Sequence, residues 1–264
     1  MNIERLIQKP LSSKAKVTGL RYTQSKNPKN VVLFQHGIGE RGPADGSQIQ
    51  LLEKLQGFPR FARGQRPWSS SVTGNIEYEF DIFAPQIVDN YDNEINPYIL
   101  PFLNVEYGYT NIILAGISLG NYAAWKQTMK YPGRQFLRGI VAVCGSGNKA
   151  DIPNMEKLPG IAWHGTADPT VSYSSHKSFV DAYNAAGGEV EWNALDGVAH
   201  NAWTYAFNAD PSKDKSLQKV NQIFASIPAS DDTAALEREN ADLKAKVENA
   251  RRNIQDILSQ LPKI

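Results

Sequence analysis

The sequence is poor in cysteine, in long apolar runs and in net charge. Cys144 is the only cysteine among 264 residues, so the chain cannot form an intramolecular disulfide. No segment has the unbroken apolar length of a membrane span. The 28 basic and 27 acidic residues leave a formal charge of +1, which provides no broad attraction for nucleic acid or an anionic membrane. We therefore expect a small-molecule or neutral polymer substrate, no nucleic acid and no membrane.

The first residues also lack the features of a secretory signal. Residues 1–16 contain only a short apolar stretch, which is interrupted by Glu4, Lys9 and Pro10. We therefore expect a cytoplasmic or virion-associated protein without a signal peptide or a transmembrane segment.

Between about residues 14 and 219 the chain alternates short β-rich runs with helical or loop segments. This alternation is typical of a mostly parallel sheet flanked by helices. Several runs are nearly all apolar, as parallel strands buried on both faces are. The expected strands are Val31–Gln35, Asp81–Ala84, Asn111–Ala115, Leu137–Cys144, Gly160–Trp163 and Glu189–Asn193, with residues 15–22 as an antiparallel edge. The sequence thus predicts one α/β catalytic domain, residues 1–228.

The composition changes after residue 228. Residues 233–264 contain no glycine and a proline only at 262, which favours an uninterrupted helix. Two series of positions repeat every seven residues, as in a coiled coil. They are Leu236, Leu243, Ala250, Ile257 and Ile264, and Asn240, Val247, Ile254 and Leu261. We predict a coiled-coil helix over residues 229–264 and a homo-oligomer formed through residues 232–264, the alternative being a helix docked on its own domain.

The strongest chemical motif is the Gly-Ile-Ser-Leu-Gly segment at residues 116–120. It follows an expected strand and precedes a plausible helix at residues 122–127. A serine on such a sharp strand-to-helix turn needs small residues two positions before and after it, here Gly116 and Gly120. The motif therefore predicts that Ser118 is a nucleophile, and the alternative is a glycine-rich turn with a surface serine.

A serine nucleophile needs a histidine base and an acid that orients the base. His200 lies in a loop just after the last expected strand, which suits a base, whereas structural roles are expected for His36, His164 and His176. Asp168 follows a buried strand and gives the chain order Ser–Asp–His that is expected of α/β-hydrolases. The competing acid is Asp196, four residues before His200.

The oxyanion formed during acyl transfer needs backbone donors that are fixed before the reaction. One is expected to be the N–H of Leu119, directly after the nucleophile. The other is expected to be the N–H of Ile38, in the glycine-rich loop that follows the first buried strand. A phosphate-binding loop is disfavoured because neither G-K-[ST] nor the spacing G-x-G-x-x-G is present.

Several segments together resemble a known family. Residues 33–42, LFQHGIGERG, resemble the "LHGxGERG" segment of the predicted-peptidase, acetylxylan-esterase and feruloyl-esterase branch of the α/β-hydrolases. Residues 84–86 resemble the strand-end "PQ" of that branch, and residues 197–203 resemble its "GxGHxxW". The resemblance covers roughly residues 15–225. It implies the α/β-hydrolase fold, a serine esterase with the triad Ser118, His200 and Asp168, and no cofactor. Three departures are Gln35, Ala199 and Asn121, none of which removes a catalytic atom.

Substrate contacts are expected from three residues near the triad. Trp163 and Trp203 are expected to form an aromatic wall for a sugar or aryl group, with core packing as the alternative, and Asn121 is expected to line the pocket. No metal is predicted, because the histidines lack a close histidine or carboxylate partner at ligand spacing.

The sequence therefore predicts a serine carboxylic-ester hydrolase acting on a small-molecule or polysaccharide ester, with carbohydrate O-deacetylation as a candidate reaction. The alternatives are a virion or surface protein that uses a hydrolase scaffold for binding or structure, and a serine peptidase.

Overall fold

The computed structural model describes residues 2–13, 15–23, 27, 29–53, 57–60, 80–129, 136–208 and 213–228. Residues Met1–Ser226 form one compact unit. The predicted coiled-coil helix, residues 229–264, lies outside the described residues, so this helix and the domain boundary at residue 228 stay predictions.

An eight-stranded sheet forms the centre of the compact unit. Its strands are β1 (Asn2–Pro10), β2 (Lys16–Thr23), β3 (Asn30–Gln35), β4 (Asp81–Gln86), β5 (Asn111–Ile117), β6 (Leu137–Val143), β7 (Pro159–Gly165) and β8 (Glu189–Leu195). They lie in the order β1-β2-β4-β3-β5-β6-β7-β8. β2 runs antiparallel to both neighbours, and all other neighbouring strands are parallel. The expectation of a mostly parallel sheet is confirmed.

All six of these expected strands are present, and five of them are longer than expected. The sixth ends at Val143, because Cys144 has a positive φ of 43° that breaks the strand. Residues 15–22 do pair antiparallel, but the expectation that they form the edge is wrong, because β1 lies outside them. The sequence did not indicate β1, since its exposed side chains include Glu4, Arg5 and Gln8 and give no buried apolar run.

Eight helices connect these strands in the described part of the chain. They are α1 (Gln50–Glu53), α2 (Phe58–Arg60), α3 (Tyr91–Glu94), α4 (Ile99–Tyr107), α5 (Leu119–Gln127), α6 (Tyr173–Ala185), α7 (Trp203–Ala206) and α8 (Lys215–Ala225). Short 3-10 turns occur at Ile38–Glu40 and Lys149–Asn154. The side chains of Ser172 and Asp214 accept N–H groups at the starts of α6 and α8, and left-handed Gly108 ends α4. No helix among these residues is long and apolar enough to cross a membrane.

Both faces of the sheet are covered. Helices α4, α5 and α6 cover one face, where the rings of Trp125 and Phe179 lie 4.8 Å apart. Helix α8 covers the other, with Ile223 over Gly139. Because strands β3 to β8 are parallel, the loops that follow them meet at one edge of the sheet. Ser118, Asp168 and His200 lie in these loops.

Candidate active site

Ser118 occupies a sharp turn between β5 and α5. Its backbone angles are φ 52° and ψ −117°, a region that non-glycine residues rarely adopt. A residue held in such a conformation costs on the order of 1–3 kcal/mol and persists only where its surroundings fix it. Here the Ser118 N–H donates to the Val143 carbonyl at 2.9 Å, which ties the turn to the end of β6.

The two glycines flanking Ser118 make this turn sterically possible. A Cβ on Gly116 would lie 2.2 Å from the Gly120 carbonyl oxygen, and a Cβ on Gly120 would lie 2.0 Å from the Gln35 carbonyl oxygen. Real Cβ atoms do not approach backbone this closely. Both positions therefore require glycine, as predicted. Gly116 is confined by the turn itself, and Gly120 is confined by the end of β3.

The structure brings Ser118, His200 and Asp168 together from three separate loops. His200 Nε2 lies 2.9 Å from Ser118 Oγ, and His200 Nδ1 lies 2.8 Å from Asp168 Oδ2. A carboxylate accepts hydrogen bonds, so Nδ1 carries the proton and Nε2 has a free lone pair toward the serine hydroxyl. The His200 side chain is 20% exposed, whereas that of Asp168 is 0% exposed. This is the arrangement required for a base that activates a serine.

Backbone amides hold Asp168 in place. Its Oδ1 accepts the N–H groups of Thr170 at 2.8 Å and Val171 at 3.0 Å. Burial raises the pKa of the Asp168 carboxyl, but the hydrogen bonds from His200 and from these two amides outweigh burial and leave the pKa below its usual value. Asp168 is thus ionised and oriented. The competing Asp196 is exposed instead, and its Oδ1 accepts from the Thr166 hydroxyl at 3.3 Å.

A close approach between two loops delivers His200 to this position. A Cβ on Gly165 would lie 2.1 Å from the Val198 carbonyl oxygen, so the end of β7 and the loop after β8 are in direct contact. Within this contact, the Ala167 N–H donates to the same carbonyl at 3.1 Å. The ring of Trp203 stands edge to face with that of His200, with centroids 5.4 Å apart. Trp203 therefore lies beside His200.

The two expected oxyanion donors occupy equivalent backbone positions. Ile38 is the first residue of a 3-10 turn, and Leu119 is the first residue of α5. The N–H groups at such positions have no acceptor within their own helix. A Cβ on Gly37 would lie 3.6 Å from Ser118 Cβ, so the loop that carries Ile38 lies directly beside Ser118.

His36 fixes the orientation of that loop. Its Nδ1 lies 2.6 Å from the Gly37 carbonyl oxygen, and its Nε2 accepts the Ile87 N–H at 3.2 Å. Because a trans peptide directs its C=O and N–H to opposite sides, the Ile38 N–H points away from the His36 ring. Burial lowers the pKa of His36 to about 4, so the ring is neutral. The structural role expected for His36 is therefore present.

Two of the three expected substrate contacts need correction. Asn121 is fully buried, and its Nδ2 donates to the Gly145 carbonyl at 3.1 Å, so it links α5 to the loop after β6 and does not line a pocket. Trp163 is 7% exposed, and its indole N–H donates to Ser216 Oγ at 3.0 Å, which makes it a core residue beneath α8. Of the two expected wall residues, Trp203 alone packs against His200.

The expectation that the histidines lack close partners is wrong for His164. Its Nδ1 lies 2.8 Å from His176 Nδ1, and its Nε2 lies 3.0 Å from Asp168 Oδ2. His164 and His176 are 12 residues apart in the sequence. They meet because helix α6 folds back over the end of β7. In the described ranges no group of three or more such side chains is arranged to hold a metal. In the sequence, a contact between His164 and Asp168 was indicated only by their spacing of four residues and by the position of His164 on the strand that precedes Asp168.

Residues 84–210, just under half of the chain, match the sequence profile of the Phospholipase/Carboxylesterase family. Solved structures with a similar fold include a thermostable esterase, with a TM-score of 0.55, 18% identity and 85% of this chain covered. This chain spans 62% of the length of that esterase. A comparison with curated protein sequences found no match.

Two further esterase structures are similar to the chain over almost their whole length. Esterase PE8 has a TM-score of 0.55 and 17% identity, over 79% of this chain and 100% of that chain. Esterase 2 of Thermogutta terrifontis, phosphoramylated by tabun, has a TM-score of 0.56 and 15% identity, over 86% of this chain and 96% of that chain.

The protein has the α/β-hydrolase fold. In this fold Ser118 follows β5, Asp168 follows β7 and His200 follows β8. The family profile and the esterase structures support the prediction of a serine hydrolase of the esterase type. They do not distinguish the "LHGxGERG" branch from other esterases.

Proposed function

We propose that this α/β-hydrolase is a serine carboxylic-ester hydrolase that uses Ser118, His200 and Asp168 as its catalytic triad. The observation that carries the proposal is the continuous hydrogen-bonded chain from Ser118 Oγ through His200 to the buried Asp168 carboxylate, with contacts of 2.9 and 2.8 Å. The similarity to esterases supports an ester as the substrate class.

In the acylation step, His200 Nε2 takes the proton of Ser118 as Oγ attacks the ester carbonyl carbon. The negative charge that develops on the carbonyl oxygen is stabilised by the N–H groups of Leu119 and Ile38. Collapse of this intermediate breaks the bond to the alcohol oxygen, which receives the proton from His200. The products are the free alcohol and an acyl-enzyme on Ser118.

In the deacylation step, water replaces the alcohol as the attacking group. His200 takes a proton from the water as its oxygen attacks the acyl carbon, and then returns the proton to Ser118 Oγ as the ester bond to the serine breaks. The carboxylic acid leaves, and the enzyme returns to its starting state. Asp168 stays ionised throughout and stabilises the imidazolium that forms on His200 in both steps.

We propose an acetylated carbohydrate as the substrate within this class. The resemblance of residues 33–42 to acetylxylan and feruloyl esterases supports this choice. Trp203 supports it as well, because its partly exposed ring stands beside His200, where an apolar aromatic face can stack on a sugar ring.

A substrate panel tests both the proposed ester hydrolysis and the proposed carbohydrate substrate. It contains p-nitrophenyl acetate and butyrate, an acetylated xylan fragment, a feruloylated sugar and a peptide amide, each assayed with the wild type and with Ser118→Ala. We expect hydrolysis of the acetyl esters by the wild type and no turnover above background by the variant. Cleavage of the peptide in preference to the esters would instead support a serine peptidase. Binding of the carbohydrate without any turnover would support a binding protein on a hydrolase scaffold.

A further inference from the structure

A second histidine contacts the carboxylate of Asp168. His200 Nδ1 and His164 Nε2 both approach Asp168 Oδ2, at 2.8 and 3.0 Å. The two rings come from different elements, since His164 lies on β7 and His200 lies after β8. The Asp168 side chain is fully buried, so solvent does not take part in this contact.

The hydrogen-bond partners of His164 fix where its proton lies. Its Nε2 faces two acceptors, Asp168 Oδ2 and the Val171 carbonyl oxygen at 3.0 Å, so Nε2 must carry the proton. Its Nδ1 then has a free lone pair, and His176 Nδ1 lies 2.8 Å from it. His176 therefore donates from Nδ1. The opposite assignment would place a bare His164 Nε2 lone pair against two oxygen acceptors.

The surroundings of His176 keep it neutral. It is fully buried on α6, and its Nε2 has no hydrogen-bond partner in the part of the chain that the structure describes. The ring of Trp192 on β8 packs against it at 5.0 Å, and Lys177, the nearest cation on α6, is paired with Asp181. Burial lowers the pKa values of both His176 and His164. Both rings are thus available as neutral donors.

We propose that His164 is a positioning residue for the catalytic acid, and that His176 holds His164 in the tautomer that donates to Asp168. This inference rests on the proposed function, in which Asp168 orients His200. In this arrangement the imidazole nitrogens of His200 and His164 both face one carboxylate oxygen, and two backbone N–H groups donate to the other. Partners at both carboxylate oxygens therefore oppose rotation of Asp168 away from His200.

Loss of the His164 donor has two consequences. The carboxylate is held less firmly, so kcat falls on the order of tenfold, about the effect of one lost hydrogen bond to a charged group. KM stays unchanged, because His164 does not contact the ester. Asp168 Oδ2 also becomes a stronger acceptor for His200, which stabilises the imidazolium. The acidic limb of the pH profile of kcat/KM therefore moves to higher pH.

Amide side chains of two lengths test which nitrogen matters at each position. In His164→Gln the amide nitrogen replaces Nε2, and in His164→Asn it replaces Nδ1. At residue 164 we expect His164→Gln to retain most of kcat and the wild-type pH profile. We expect His164→Asn to show the lower kcat and the shifted acidic limb. At residue 176 we expect the reverse, because His176 donates from Nδ1: His176→Asn retains activity, and His176→Gln loses it.

Nitrogen-15 NMR of the wild-type imidazoles provides a readout that needs no variant. We expect His164 as the Nε2–H tautomer and His176 as the Nδ1–H tautomer at pH 7. Equal losses in the two variants at each position would overturn the inference, as would a His164 ring protonated at Nδ1. The proposed function fails separately, if Ser118→Ala retains the ester hydrolysis of the wild type.

Discussion

Gly120 at the start of α5 rests directly on the carbonyl oxygen of Gln35 at the end of β3, where an added Cβ would lie 2.0 Å away. This contact joins the turn at Ser118 to the loop that carries Ile38, so one backbone junction positions both of the expected oxyanion donors.

The first prediction follows from this junction. Gly120→Ala forces the two backbone segments apart, and we expect a loss of about 1–3 kcal/mol in the free energy of unfolding together with most of the ester hydrolysis. Gly39→Ala is the matched control, because a Cβ at Gly39 would meet nothing within 4 Å. Urea unfolding and steady-state kinetics of both variants check this prediction. Equal behaviour of the two variants would contradict it.

The second prediction concerns the identity of the acid. Asp168→Asn is expected to lower kcat by roughly four orders of magnitude, because an amide does not hold His200 in the tautomer that leaves Nε2 free. Asp196→Asn is the control, since Asp196 is exposed and contacts Thr166. Single-turnover assays of both variants with p-nitrophenyl acetate measure the difference. If Asp196→Asn is the damaging change, the assignment of the acid is wrong.

The third prediction concerns the dependence of stability on pH. Burial lowers the pKa values of His36, His164 and His176 in the folded protein, to about 4 for His36. Below pH 6.5 the unfolded chain therefore binds protons that the native state does not, and stability falls as the pH drops from 6.5 toward 4. His36 alone contributes about 3 kcal/mol to this fall, at about 1.4 kcal/mol per pKa unit.

Urea unfolding at intervals between pH 7.5 and pH 4.5 tests this dependence. His36→Asn removes one titrating ring but keeps a donor near the position of Nδ1, so its stability is expected to fall less steeply with decreasing pH. A wild-type stability that does not change across this range would contradict the prediction.

Much of the fold and the grouping of Ser118, His200 and Asp168 could be predicted from the sequence because the determinants are local. Strands β3 and β5 are continuous buried runs, and the glycines around Ser118 mark a tight turn by their spacing. The chain order of Ser118, Asp168 and His200 then restricts the triad to one topology.

Other features could not be predicted because they depend on tertiary contacts. Strand β1 has an exposed edge with polar side chains, so no apolar pattern marks it. Trp163 and Asn121 lie near the motifs in the sequence, but the pleat of β7 and the rotation of α5 direct them into the core. The contact between His164 and His176 forms only when α6 folds back onto the sheet.

The fourth prediction concerns the C-terminal segment. We propose that residues 232–264 form a homo-oligomer through their heptad repeat and take no part in catalysis, because every proposed catalytic residue precedes residue 228. Deletion of residues 232–264 is expected to leave turnover of a small soluble ester within about twofold and to convert an oligomer into a monomer. Light scattering of the full-length and truncated proteins measures the second effect. A full-length monomer, or a truncated protein without activity, would contradict this role.

The central claim is that Ser118 attacks the substrate, and covalent labelling tests it most directly. The wild-type protein is treated with a serine-directed fluorophosphonate, and the modified peptide is identified by mass spectrometry while residual hydrolysis of p-nitrophenyl acetate is followed. We expect one label per chain, located on Ser118, with activity lost in proportion to labelling. Ser118→Ala is expected to be unlabelled and to have turnover lower on the order of a million-fold, with wild-type thermal unfolding. Labelling of a different serine, or undiminished turnover by Ser118→Ala, would contradict the account.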